Sequence, residues 1–294
     1  MNLALQVLEI VAPGFLLAAL GFGWVRLGYE YRVEFVTRLA MTLAIPCLIF
    51  TALVESAISP AILADMALAT LTAYAAAGLG IALAIRVFGL AARTFWAPLT
   101  FGNTGNLGLP LALFAFGDTG LGLAAVVFSL TAVLGATLGV WVVAGGGPVW
   151  KALQEPMTWG SVLGALCLAL GYTPPVWAMN TLGLVGQMGI PLMLISLGVA
   201  ISRLVPAAIL RAVALSLLKL GLCLPVGIGA AMVFGLDTIA TSVLILQISM
   251  PVAVMNYMMA EKYGADAAEV AGLVVISTLL AVITIPAILA VFVG

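Results

Sequence analysis

The sequence predicts an all-α polytopic membrane protein: ten transmembrane helices as two inverted five-helix repeats, with broken crossover helices 4 and 9. Three observations predict it, namely the composition, an internal repeat and the placement of the cations. Hydrophobic residues make up 65% of the 294 positions and charged residues 7%, too little polar surface to cover a soluble globule. A mean hydropathy of +1.30 puts the chain in lipid.

A hydrocarbon core about 30 Å thick takes roughly 20 apolar residues per helical crossing, and the continuous apolar stretches can be counted against that length. A β-barrel would show alternating segments of about ten residues instead. Residues 3–25 have no basic leader and no clear small-residue cleavage site, so they read as a first span rather than a removable signal. Residues 33–54 form the second span and carry Leu43-Ala-Ile-Pro46, and residues 61–88, opened by Pro60, form the third. Residues 94–116 form the fourth, and residues 120–144 the fifth. A glycine-rich join from Gly145 to Pro156 follows, with Trp150 suited to the headgroup level. Residues 157–172, 176–201, 206–234, 238–260 and 265–293 complete the ten.

The second half echoes the first. Met188-Gly-Ile-Pro191 repeats Leu43-Ala-Ile-Pro46, and Pro206-Ala-Ala-Ile-Leu210 repeats Pro60-Ala-Ile-Leu63. Tyr263-Gly-Ala-Asp266 with Ile276-Ser277 repeats Phe116-Gly-Asp118 with Phe128-Ser129. The offsets are 145 (191 minus 46), 146 (206 minus 60) and 148 (266 minus 118), so one alignment joins residues 1–148 to residues 149–294.

Of the ten Lys and Arg residues, Arg26, Arg32, Arg38, Arg86, Arg93, Lys151, Arg203, Arg211 and Lys262 flank odd-numbered connections, while even-numbered ones carry acids such as Glu55, Asp65, Asp118 and Asp237. The positive-inside rule then puts the odd connections in the cytoplasm and both termini outside. Five spans per half, an odd number, invert the second repeat relative to the first. Inverted repeats with paired broken helices are the architecture of many secondary transporters.

The chemistry is expected where the helices break. Gly102-Asn-Thr-Gly-Asn-Leu-Gly-Leu-Pro110 places glycines, asparagines and a proline in mid-membrane, where a lipid-facing helix would carry Leu or Val. Proline removes a donor, and glycine and asparagine tolerate irregular dihedrals. Freed backbone groups in hydrocarbon cost several kcal/mol each, so the segment must face protein or water. Gln247-Ile-Ser-Met-Pro251, followed by Asn256, is its counterpart in the ninth span. Pro110 and Pro251 each suit the first position of a second half-helix, whose amides and positive dipole end favour an anion. The candidate substrate-binding residues are therefore Asn103, Thr104, Gly105, Asn106, Pro110, Gln247, Ser249, Pro251 and Asn256. Kinks that only allow close helix packing are the competing reading.

Lys219 lies midway along the eighth span, where charge is expensive. It is read either as a charge that attracts an anion or couples with an acid, or as a lysine snorkelling outward. Glu9, Glu55 and Asp65 read as interfacial. Ser129, Ser277 and Thr278 either line the cavity or bond their own helix. Cys47, Cys167 and Cys223 have no metal or redox spacing and read as filler. No cofactor, metal or nucleic-acid partner is expected.

The run from Gly102 to Leu111, Met250-Pro-Val-Ala253, and Ser277-Thr278 ahead of Thr284-Ile-Pro286 resemble the auxin efflux carrier family in its compact bacterial form, over nearly the whole chain. The resemblance implies a fold similar to sodium/proton antiporters and bile acid symporters. A scaffold of helices 1, 2, 6 and 7 would hold a transport domain of helices 3–5 and 8–10. It also implies a small organic anion as substrate, a carboxylate or an auxin-like weak acid, and a homodimer through the scaffold. The long hydrophilic central loop of many plant members is missing.

The expected function is thus a secondary carrier in the cytoplasmic (inner) membrane, working by alternating access, with export as the expected direction and no enzymatic activity. A sodium- or proton-coupled symporter on the same fold is the alternative, with Asn106, Gln247 and Ser249 as oxygen ligands. A cation/proton antiporter is disfavoured because no acid lies between Gly102 and Pro110 or between Gln247 and Asn256. An intramembrane enzyme is disfavoured because the chain has no His and no paired nucleophile and base, although a lone Ser with Lys219 stays open. An ion channel would differ in showing single-channel currents.

Overall fold

The computed structural model describes residues 3–55, 58–146, 156–204 and 208–292. Their regular structure is helical throughout, and a lone antiparallel bridge between Gly102 and Val252 is the one β-type pairing among them. Six helical stretches are long and apolar enough to cross a membrane: Val33–Val54, Pro60–Val87, Thr104–Ala144, Val176–Arg203, Ile209–Val233 and Ala267–Val291. Ala12–Arg26 and Thr238–Ile248 are shorter apolar helices. Most of the join between the halves, with Trp150 and Lys151, lies outside the described residues, as does Pro206.

In the first half, α1 (Leu3–Arg26) is followed by α2 (Val33–Leu39), which runs through a π-helical turn, Ala40–Ala44, into α3 (Ile45–Val54). The wider turn lies directly ahead of Pro46, whose ring clashes with the preceding turn of a regular helix. Ser59 caps α4 (Pro60–Val87) by accepting from Ile62 N, with Pro60 in the first turn, where its missing donor costs nothing. After α5 (Ala92–Thr100) the helix breaks, resumes as a π turn over Thr104–Gly108, and continues as α6 (Leu109–Leu134). Gly117 bends α6 sharply (φ 63°, ψ −154°). A further π turn, Gly135–Gly139, leads into α7 (Val140–Ala144).

The second half holds α8 (Pro156–Leu170), α9 (Val176–Gln187), α10 (Gly189–Arg203) and α11 (Ile209–Val233). Asp237 caps α12 (Thr238–Ile248), accepting from Ala240 N at 2.8 Å. A second break separates α12 from α13 (Val254–Tyr263), and α14 (Ala267–Phe292) follows.

Left-handed glycines mark matching corners of the two halves. Gly28 and Gly171 follow α1 and α8 within Leu-Gly-Tyr, and Gly89 and Gly235 follow α4 and α11 within Phe-Gly-Leu. Gly117 and Gly264 (φ 63° and 68°) end the half-helices beyond the two breaks. Only glycine adopts this conformation without a Cβ penalty, so the same residue recurs wherever the same corner recurs.

The packing also repeats. α1 lies along α10 with backbones in contact: a Cβ on Gly21 would meet Ile195 O, and one on Gly198 would meet Ala18 O. α8 and α9 approach α3 in the same way, through Gly160 against Pro46 and Gly186 against Leu48. Lipid tails are as apolar as Leu, so helices associate through such close van der Waals contact rather than through the hydrophobic effect. Gly198→Val is therefore expected to cost about 1–3 kcal/mol by overpacking. Gly183→Ala, where an added Cβ meets nothing within 4 Å, should be neutral or stabilising by up to about 1 kcal/mol. Melting of the two purified variants in detergent checks the contrast.

Candidate functional site

The two breaks are held against each other through their backbones. Beyond α5, Phe101 is extended (φ −101°, ψ 110°), and Gly102 pairs antiparallel with Val252. Asn103 N donates to Pro251 O at 2.7 Å. A Cβ on Gly102 would sit 2.6 Å from Met250 O, so glycine is what lets the two chains meet. Phe101 is braced from behind by Tyr74, stacked at 6.1 Å between ring centroids, and by Trp96, edge-on at 5.8 Å.

Side chains from four helices meet the backbone groups that the breaks release. From α14, the Ser277 hydroxyl accepts from Val252 N at 3.0 Å, and from α13, Asn256 Nδ2 donates to Phe101 O at 3.1 Å. Lys219 Nζ, on α11, donates to Leu99 O at 3.0 Å, and the Tyr74 hydroxyl, on α4, to Gln247 O at 3.5 Å. Asn103 Oδ1 accepts from Asn106 N at 3.2 Å and caps the resumed helix.

What remains unpaired is concentrated on the same two segments. Among the described residues, the buried side-chain polar atoms with no partner are Thr100 Oγ1, Asn103 Nδ2, both amide atoms of Gln247, Ser249 Oγ and Asn256 Oδ1. Each such group costs about 1–3 kcal/mol when left dry. Six orphaned atoms on two paired breaks thus form a set of donors and acceptors with unused capacity. Asn106 is the half-buried member of the segment.

The other expected site residues are placed differently. Thr104 spends its hydroxyl on Thr131 at 3.0 Å, and Gly105 packs against Phe128 and Met193. Pro110 and Pro251 do not share the first position of a second half-helix. The first resumed helix starts at Thr104, well ahead of Pro110, because Asn103 caps it and a π turn precedes the ring. Pro251 stays in the extended break, where its carbonyl serves Asn103, and α13 begins only after Ala253. Gly108 was not anticipated as a site residue; a Cβ there would run into the Gln247 amide, and its membership of the Gly-Asn-Thr-Gly-Asn-Leu-Gly run was the available signal.

Lys219 does not snorkel: it is 3% exposed and is the one charged side chain fully buried among the described residues. Ser129 and Thr278 bond carbonyls of their own helices, Ala125 O at 2.6 Å and Val274 O at 2.7 Å. Glu9, Glu55 and Asp65 are exposed. A crevice lined by Ser216, Lys219, Ser249, Pro251, Ser277 and Thr284 has a volume of about 20 Å³, room for roughly one water.

Two comparisons bear on this arrangement. A family model described as Membrane transport protein matches the chain twice, over residues 6–148 and 148–289. A protein from Methanothermobacter thermautotrophicus, named there an uncharacterized transporter, is 28% identical over 295 aligned positions, covering 96% of this chain and 95% of that one.

Independently of that kinship, Ser277→Ala would leave Val252 N buried without an acceptor and should cost about 1–3 kcal/mol. Thr278→Ala removes only a bond to its own helix and should cost less. Equal melting temperatures for the two variants would contradict the role given to Ser277.

Proposed function

Because the chain belongs to the Membrane transport protein family, that of the auxin efflux carriers, a family of transporters and not of enzymes, we propose that it is a secondary carrier for a small organic anion. The substrate class is a carboxylate or an auxin-like weak acid. The observation that carries this reading is the set of unpaired amide and hydroxyl groups buried on the two paired breaks, beside a buried ammonium and with no acid in either break. The unpaired amide nitrogens and hydroxyls, with one fixed cation, can replace the water around a carboxylate.

In this reading the paired breaks are the crossing of broken helices 4 and 9 in a ten-span inverted repeat. α5 and the start of α6 form one broken helix, and α12 and α13 the other. Asn103, Asn106, Gln247, Ser249 and Asn256 contact the anion. The scaffold comprises α1 to α3 and α8 to α10, joined by the glycine contacts of α1 with α10 and of α3 with α8 and α9. The transport domain comprises α4 to α7 and α11 to α14, supported by the packing of α4 on α11 and of α6 on α12. Scaffold helices also serve for dimerisation, and both termini face outward from the cytoplasmic membrane.

Alternating access is the transport mode of this reading, and the small crevice is in keeping with it. About 20 Å³ admits no organic anion, which supports a change of shape on binding; in this reading the transport domain moves against the scaffold. Export of one negative charge gains about 2.3 kcal/mol per 100 mV of interior-negative potential, which drives efflux without a coupled ion. A sodium- or proton-coupled symporter is the second reading, favoured by the unpaired oxygens of Thr100, Gln247 and Ser249.

The test is melting of the purified protein against small carboxylates and aromatic anions. A ligand at a hundred times its Kd should raise the melting temperature by roughly 5 °C. Asn106→Ala, which removes a half-buried side chain, should fold normally and lose that rise. The site assignment fails if the variant keeps the full rise, and the anion reading fails if no anion produces one.

A further inference from the structure

A second cavity lies away from the paired breaks, where α4 and α7 end and α5 begins. It is a groove of about 400 Å³ between Ala82 of α4, Arg93 and Trp96 of α5, and Trp141 and Val142 of α7. Ligand pockets run from about 300 to 1,000 Å³, so this groove is of their size, unlike the crevice beside the breaks.

The walls are mostly apolar. Trp96 Nε1 donates to Gly78 O at 2.9 Å, which fixes its indole between α5 and α4. Trp141 is half exposed, and Leu79, Leu83 and Leu138, on neighbouring turns of the same walls, are exposed as well. Large apolar side chains exposed on membrane-spanning helices meet lipid tails, so the groove opens toward the bilayer. Indole rings, apolar on the face and polar at one edge, suit the headgroup level.

The charge at the groove is positive, with no carboxylate opposite it. Arg93 Nε donates to Val143 O at 3.0 Å and Arg93 Nη2 to Tyr263 O at 2.9 Å, both neutral carbonyls in the last turns of α7 and α13. The ion pairs among the described residues are Arg32 with Glu30 and Arg211 with Glu269, so the Arg93 guanidinium has no counter-ion among them. Arg86 has none either, and it lies four residues on from Ala82, on the same face of α4. The start of α5 has no side-chain cap, and the positive end of its dipole adds to the guanidinium.

We infer that this groove binds an anionic phospholipid, whose phosphate meets the Arg93 guanidinium while an acyl chain lies along Trp96, Trp141 and Val142. Basic pockets between membrane helices hold anionic headgroups, and the planar guanidinium matches phosphate oxygens. The apolar walls give a lipid tail contacts that a free anion cannot use. The helices that hold the lipid are α4, α5 and α7, so in the carrier reading it travels with the transport domain. Its binding does not rest on that reading, and the test uses no transported anion.

The experiment is melting of the full-length purified protein in detergent with added dioleoyl phosphatidylglycerol or dioleoyl phosphatidylcholine, which share their acyl chains. Wild type should melt roughly 3 °C higher in phosphatidylglycerol at ten times its Kd, and sodium phosphate alone should give no rise. Ala82→Trp, at an exposed position, fills the groove, keeps both Arg93 bonds and should lose the difference between the two lipids. Arg93→Gln, which keeps a donor and loses the charge, should melt lower throughout and lose the difference too. A guanidinium that only ties α5 to α7 and α13 predicts the lower melting with the phosphatidylglycerol advantage intact. Equal rises in the two lipids for wild type overturn the inference, and so does a groove covered by protein, which predicts that result. A difference retained in Ala82→Trp or in folded Arg93→Gln overturns it as well, as does a rise with sodium phosphate equal to that with phosphatidylglycerol. If Arg93→Gln fails to fold, Ala82→Trp decides by itself.

Discussion

A backbone that leaves its helix inside hydrocarbon must find partners for every amide and carbonyl it frees, and the rest of this structure is arranged around that constraint. Two helices leave at once, at Phe101 to Asn103 and at Ser249 to Ala253, and each supplies part of what the other lacks. The bond from Asn103 N to Pro251 O and the bridge of Gly102 to Val252 are the direct exchange. The remaining groups are met by Tyr74, Lys219, Asn256 and Ser277. Four packed helices therefore hold one irregular feature in place.

The same constraint explains why the polar atoms left over are concentrated at the breaks. Elsewhere, buried hydroxyls return their proton to a carbonyl of their own helix, as Thr51, Thr70 and Ser216 do. At the breaks, Thr100, Ser249 and the amides of Asn103, Gln247 and Asn256 keep unpaired atoms. The cost is tolerable only if something else repays it, and a bound anion would do so under the proposed function. Around them, contacts through Gly21, Gly160, Gly186 and Gly198 hold the backbones of α1, α3, α8, α9 and α10 close.

Much of this was legible along the chain. The apolar runs indicated the helices, and the runs Gly102 to Pro110 and Gln247 to Pro251 indicated both breaks. The Leu-Gly-Tyr and Phe-Gly-Leu corners carry the repeat equally well, but a corner glycine shows its meaning only once its φ is known. The details of the site were less legible. Ser277 and Thr278 are neighbours of similar chemistry, yet Ser277 meets Val252 N while Thr278 bonds only Val274 O. Nothing in their order along the chain separates them. Pro110 and Pro251 look equivalent as letters but sit in a helix and in an extended segment.

The sequence by itself determined the solvent, the helical class and the positions of the breaks, because hydrophobicity, helix length and the special backbones of glycine and proline are local properties. It also determined the family, through residues that recur in order along the whole chain. Only the tertiary structure decided which group meets which. The partner of Leu99 O is 120 residues away on α11, and that of Val252 N lies on a different helix. Lys219 could face lipid headgroups or a carbonyl on the same sequence evidence; the packing of α11 against α5 is what buries it. Long-range contacts depend on how helices pack, and that information is spread over the whole chain rather than written at any one position.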